Sequence, residues 1–138
     1  MSRLFLDTNV LIYAIDEDSQ FYPKARSIIL DSDDELFTSS KNLTEFLVVV
    51  TRGRTVSLSI EDALAVLEDF SSIFTILYPS SATYEVFKDL LRRYSPTGLK
   101  IHDIEIASTA ISNGINRLVT FNKKDFKEIE LLELVAVE

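Results

Sequence analysis

Short apolar runs alternate along the chain with longer segments whose apolar residues recur at helical spacing. Leu4, Phe5 and Leu6 run together and are ended by Asp7, the pattern of a strand buried on both faces. Asn9–Ala14 reads as the start of a helix, and 16–20 as a polar loop. Pro23 suits the first turn of a helix reaching about Leu30, with Ala25, Ile28 and Ile29 inward. Glu35–Thr38 reads as a strand, and Ser39 or Ser40 caps a helix continuing to about Thr51. Leu43, Phe46, Leu47 and Val50 form its stripe. Val48 and Val49 extend that stripe nearly all round, which predicts a largely buried helix.

Gly53 ends this helix. Ser59 with Asp62 makes a capping box for a helix that turns Ile60, Ala63, Leu64, Leu67 and Phe70 inward. A strand over Ile73–Leu77 is closed by Pro79, and Tyr84, Phe87, Leu91 and Tyr94 define the next helix. After a loop at 96–100 comes a helix over Asp103–Asn113, stopped by Gly114. Arg117–Phe121 is a strand, Lys123–Phe126 a short helical turn and Leu132–Val137 a last strand. Strands alternating with helices predict an α/β fold: a central, mainly parallel sheet with helices on both faces, in three layers. Gaps are short and repeats absent, so residues 1–138 read as one domain. Ligand sites in such sheets lie beyond the carboxyl ends of the strands.

Composition narrows the chemistry. The chain has no Cys and one His, His102. Disulfides, thiolate metal sites, cysteine nucleophiles and multi-histidine metal sites are excluded. The N-terminal residues lack the apolar core of a signal peptide and no run is long enough to span a membrane, so the cytoplasm is the expected location and no membrane partner is expected. The 14 Lys and Arg are outnumbered by 22 Asp and Glu. They are unevenly spread: residues 1–40 hold 3 basic and 8 acidic side chains, residues 88–127 hold 8 and 4. That leaves room for a local basic rim, with Arg92, Arg93, Lys100, Lys123 and Lys124 as candidates for contact with the phosphates of a polyanion.

Several acids stand in places that ordinary surface patterning does not demand. Asp7 follows a buried strand. Glu45 precedes five consecutive apolar residues, where a carboxylate without a partner is costly. Asp103 lies at a helix start, and Asn122 and Asp125 follow the strand before the last. Each has a plain reading: a turn or cap for Asp7, solvent or Arg52 for Glu45, the helix dipole for Asp103, and mutual capping for Asn122 and Asp125. Together, carboxylates converging on one site would repel, and a hard divalent cation relieves that repulsion. Oxygen ligands without His or Cys select Mg²⁺ or Mn²⁺, which suit phosphodiester hydrolysis.

Four segments carry a resemblance: Leu6-Asp7-Thr8-Asn9-Val10-Leu11-Ile12, Asn42-Leu43-Thr44-Glu45-Phe46, His102-Asp103-Ile104-Glu105-Ile106-Ala107 and Thr120-Phe121-Asn122-Lys123-Lys124-Asp125-Phe126. In this order they resemble the successive motifs of PIN-domain nucleases, closest to the VapC-like toxins of toxin–antitoxin pairs. The resemblance implies a metal-dependent ribonuclease cutting single-stranded RNA, a small antitoxin as partner and a homodimer. It assigns Asp7, Glu45 and Asp103 to a catalytic Mg²⁺ or Mn²⁺ site supported by Thr8 or Asn9. Where many relatives carry a fourth acid this chain has Asn122, which leaves the second metal position open: Asn122 or Asp125 fills it, or the enzyme uses one metal held tightly. His102 is read as structural or positioning, and Tyr13 and Tyr94 as base-stacking or core. The competing readings are a PIN nuclease of RNA processing or quality control, a non-catalytic RNA- or protein-binding module, and a phosphatase-type hydrolase. The retained acids weigh against the module, and the lack of an acidic pair beside Asp7 weighs against the phosphatase.

Overall fold

The computed structural model describes residues 2–135 and 137. Its sheet has five parallel strands in the order β3-β2-β1-β4-β5: β1 Arg3–Leu6, β2 Glu35–Ser39, β3 Thr75–Leu77, β4 Arg117–Val119 and β5 Glu133–Val135. The helices are α1 Thr8–Tyr13, α2 Tyr22–Leu30, α3 Ser40–Thr51, α4 Ile60–Ile73, α5 Ser81–Tyr94 and α6 Lys100–Ser112, with a 3₁₀ turn at Lys123–Asp125. Among the described residues no helix is long and apolar enough to cross a membrane.

The pleat explains the layers. Successive strand residues face opposite sides, so Leu4, Leu6, Leu36 and Val119 join one core and Phe5, Phe37 and Leu118 join the other. The first core is filled by α1 to α4 through Val10, Leu11, Ala25, Ile29, Phe46, Val50, Ala63 and Phe70. The second is filled by α5 and α6, with Phe126, Ile129 and Leu132 closing it. Chain order reverses about β1: the chain builds outward through β2 and β3, then returns to β4 on the other side. The switch point therefore lies between the carboxyl ends of β1 and β4, where open α/β sheets bind ligands. An aromatic cluster flanks it: Tyr13, Phe21 and Phe121 pack with ring centroids 5.0–5.1 Å apart.

Several elements differ from the sequence expectation. Helix α3 is not buried all round: Asn42, Phe46 and Val50, four residues apart, point inward while Val48 is 54% exposed. Ile60 and Leu64 of α4 are exposed as well, because only a narrow stripe through Ala63 and Phe70 meets the sheet. Ile73 belongs to α4 rather than to a strand, since the Phe74 N–H still donates to the Phe70 carbonyl, and β3 starts at Thr75. β4 stops at Val119 because the Phe121 N–H is taken by the Asn9 side chain. α6 starts three residues early, at Lys100, so Asp103 sits within its first turn. The last strand is only Glu133–Val135, and positions 136 and 138 lie outside the described residues.

The two faces of α3 give the first prediction. Phe46 is fully buried and packs edge-on to Phe70 at 5.3 Å. Phe46→Ala is expected to cost about 3–5 kcal/mol in urea unfolding, whereas Val48→Ala stays within about 0.5 kcal/mol. Equal losses at the two positions would contradict this packing.

Candidate active site

Asp7 ends β1, caps α1 and is 7% exposed. Its carboxylate is held by neutral donors from three directions. Oδ2 accepts the Thr120 hydroxyl at 2.8 Å, and Oδ1 accepts the Thr8 N–H at 2.9 Å and the Asn42 amide at 3.5 Å. Thr120 follows β4, so its bond to Asp7 closes the switch point. The same hydroxyl oxygen accepts the Asn9 amide at 3.2 Å and the Asn122 N–H at 3.0 Å. Ser39 caps α3 and its hydroxyl donates to the Asn42 side-chain oxygen, which leaves the Asn42 amide free to reach Asp7 and the Thr8 hydroxyl.

Glu45 lies one turn beyond Asn42 on α3. It neither faces bare solvent nor pairs with Arg52: its Oε1 accepts the Thr8 hydroxyl at 3.0 Å. Thr8 and Asn9 both act from the first turn of α1 rather than from a loop, Thr8 on Glu45 and Asn9 on Thr120. Asp103 approaches from α6 and is partly exposed, while its neighbour His102 is exposed.

The charges of Asp7, Glu45 and Asp103 act on one another. Asp7 is pushed up to about 6, chiefly by burial; Thr120 and Thr8 oppose this, and the negative charges of Glu45 and Asp103 add to it. Asp103 is likewise raised to about 6, by burial first and then by the charge of Asp125, with Lys100 opposing. Among the described residues no three carboxylate or imidazole groups close round a single point. What the site holds is one buried and two partly buried carboxylates whose negative charges act on one another. That donor chemistry suits a hard divalent cation and does not suit zinc or copper.

The remaining candidates fall in different places. Asn122 and Asp125 do not form the expected reciprocal cap: the Asn122 N–H goes to Thr120, and the Asp125 carboxylate accepts the Asn122 side-chain amide instead. Lys100 reaches Asp125, its ammonium 3.3 Å from the backbone carbonyl and 4.0 Å from Oδ1. Lys123 and Lys124 are exposed in the 3₁₀ turn. Arg92 and Arg93 are exposed in the last turn of α5, Arg92 bound to Asp89 at 3.3 Å. Tyr13 belongs to the aromatic cluster, and the Tyr94 hydroxyl accepts the Glu130 N–H. Sequence reasoning gave no role to Asn42 or Thr120, although both are fully buried polar side chains within the four motif segments. The usable signal was a polar residue at an interior position, three residues before Glu45 and at the end of a strand.

The parallel sheet, with Asp7 buried at its switch point, defines an open α/β protein with an acidic site, and the comparisons identify its family. The sequence profile of the PIN domain matches residues 4–132, and the chain belongs to the PIN-domain family. It is 39% identical over 99 residues to Ribonuclease VapC1 of Rickettsia felis, covering 69% of this chain and 71% of that protein. Two solved relatives have the same fold. One is VapBC2 from Rickettsia felis bound to a DNA fragment from its promoter, with TM-score 0.74, 27% identity and 99% of both chains covered. The other is DNA-bound VapBC from Salmonella typhimurium, with TM-score 0.68, 28% identity and 98% of both chains covered.

The raised Asp7 carboxyl generates the second prediction. Between its unfolded value of 3.8 and its folded value of about 6, the folded chain keeps a proton that the unfolded chain has lost. Stability therefore falls as pH rises through this window: the contribution is present below about pH 4 and gone above about pH 6. With chelator present, this group removes about 2 kcal/mol between pH 4 and 7. Asp7→Asn is expected to abolish that part of the slope in urea unfolding measured across the range. A variant with the parent's slope would show that another group titrates.

Proposed function

We propose that this chain is a divalent-metal-dependent endoribonuclease that cleaves single-stranded RNA and is the toxin of a toxin–antitoxin pair. The observation that carries the reading is the Asp7 carboxylate at the switch point, buried among neutral donors and raised to about 6 chiefly by that burial, with the charges of Glu45 and Asp103 adding to it. Asp7, Glu45 and Asp103 are the residues that would hold Mg²⁺ or Mn²⁺. When bound there, the cation supplies a Lewis acid for the phosphate and lowers the pKa of an attacking water. The name of the VapC1 relative supports ribonuclease activity, and the VapBC relatives support a small antitoxin as partner.

The chain's own residues prepare this chemistry. Thr120, Thr8 and Asn42 fix the Asp7 carboxylate in one orientation with neutral hydrogen bonds, so its charge stays free for a cation. The Thr8 hydroxyl spans the gap to Glu45 and ties α3 to α1. Lys123 and Lys124, exposed just beyond Asn122, form a basic rim on which the phosphates of the strand rest.

Hydrolysis of a single-stranded RNA is expected to require Mg²⁺ or Mn²⁺ and to stop with chelator. Asp7→Asn or Asp103→Asn should each lower the rate by at least ~10²-fold, since each removes a charge from the cation's ligand set. Cleavage at the parent rate by either variant, in matched preparations, would refute the assignment. Neutralising Lys123 and Lys124 together should weaken RNA binding and flatten its log–log salt slope by about 1.4, the value for two phosphate contacts on a single strand. An unchanged slope would make the basic turn a solvated surface only.

A further inference from the structure

A second group of charges stands next to the Asp7 cluster, and its balance is different. Lys100 and Asp103 are three residues apart in the first turn of α6 and so share a face. Asp125 reaches the same place from the 3₁₀ turn. Its Oδ1 lies 4.0 Å from the Lys100 ammonium, which also donates to the Asp125 backbone carbonyl at 3.3 Å. Its Oδ2 accepts the Asn122 amide. Lys100, Asp103 and Asp125 line one small cavity of about 80 Å³ together with Tyr94 and Glu128. Among the described residues, the charges that act on Asp7 are instead the carboxylates of Glu45 and Asp103.

We propose that the Lys100 ammonium is a resident counter-ion between Asp103 and Asp125, taking the place of a second divalent cation, so that this chain binds a single divalent ion on the Asp7 side of Asp103. The proposal rests on the reading of Asp7, Glu45 and Asp103 as a metal site. Asp125 supports it from both of its oxygens. One is engaged by a neutral amide that holds the carboxylate in place, and the other faces a positive charge. A second divalent ion in this cavity would have to displace the ammonium or sit against it, and like charges at such separations repel. Asn122 fits the same picture. Its uncharged amide adds no anion that would draw in another cation, and it steadies the acid that Lys100 neutralises. Lys100 thereby keeps a permanent positive charge beside Asp103 and Asp125.

Titration with Mn²⁺, read by electron paramagnetic resonance of the free ion, counts ions per chain without relying on catalysis. One ion is expected for the parent, two for Lys100→Met, and one for Lys100→Arg, which keeps the charge. The double variant Lys100→Met/Asp125→Asn should return the count to one, because the vacated position then lacks its carboxylate. Lys100 is half-exposed at a helix start, and circular dichroism melts of all variants verify that they fold. Two ions in the parent, or a count that stays at one in folded Lys100→Met, would overturn the role of Lys100 and leave the metal reading intact. A parent that binds no Mn²⁺ would defeat the metal reading itself, and the counter-ion role with it.

Discussion

The molecule is organised around a carboxylate buried at the one place where a parallel sheet has an opening. An ionised side chain there is costly unless its oxygens are engaged, and Asp7 meets that demand with a hydroxyl, a backbone N–H and an amide, none of them charged. Each donor comes from a different element. Thr120 follows β4, Thr8 opens α1 and Asn42 sits in the first turn of α3. Satisfying one carboxylate therefore fixes how three elements meet. A lysine or arginine in any of these places would have neutralised Asp7 and removed the pull on a cation. Neutral donors orient the charge without cancelling it.

Much of the architecture could be read from residue pattern because it depends on short-range regularities. The apolar run at Leu4–Leu6, Pro23 in the first turn of α2, Ser39 before α3 and Gly114 after α6 are local signals with local physical causes. The errors arose where tertiary contact decided the outcome. Val48 looks like a core residue, but only one stripe of α3 meets the sheet, so it stays in solvent. The end of β4 was placed two residues late, because a side chain 112 positions away claims the Phe121 N–H. For the candidate site, the acids were visible as carboxylates in unexpected settings. Asn42 and Thr120 were not, since a hydroxyl or an amide announces nothing until it is known to be buried. The Asn122–Asp125 pair has the spacing of a cap, yet Thr120 competes successfully for the backbone N–H that a cap would use.

The two sides of the site differ in how they manage charge. Around Asp7 the negative charges of three acids are left to oppose one another. Around Asp125 an amide and an ammonium are built in. A site assembled in this way is polarised before any ligand arrives, with its unmet demand for positive charge concentrated at one end. The exposed lysines of the 3₁₀ turn lie near the satisfied end, so a polyanion meets positive charge on approach in spite of the acidic total.

The Thr120–Asp7 bond joins residues 113 positions apart, and the two strands it links, β1 and β4, are direct neighbours in the sheet. The six helices and strands β2 and β3 are made between them. On a ribosome, Thr120 is added 113 residues after Asp7. At typical elongation rates the interval is on the order of 10 s. Throughout that time the growing chain carries its acids without the strand that gathers them. The topology thus works as a clock: the switch point cannot close until β4 and Thr120 have been made.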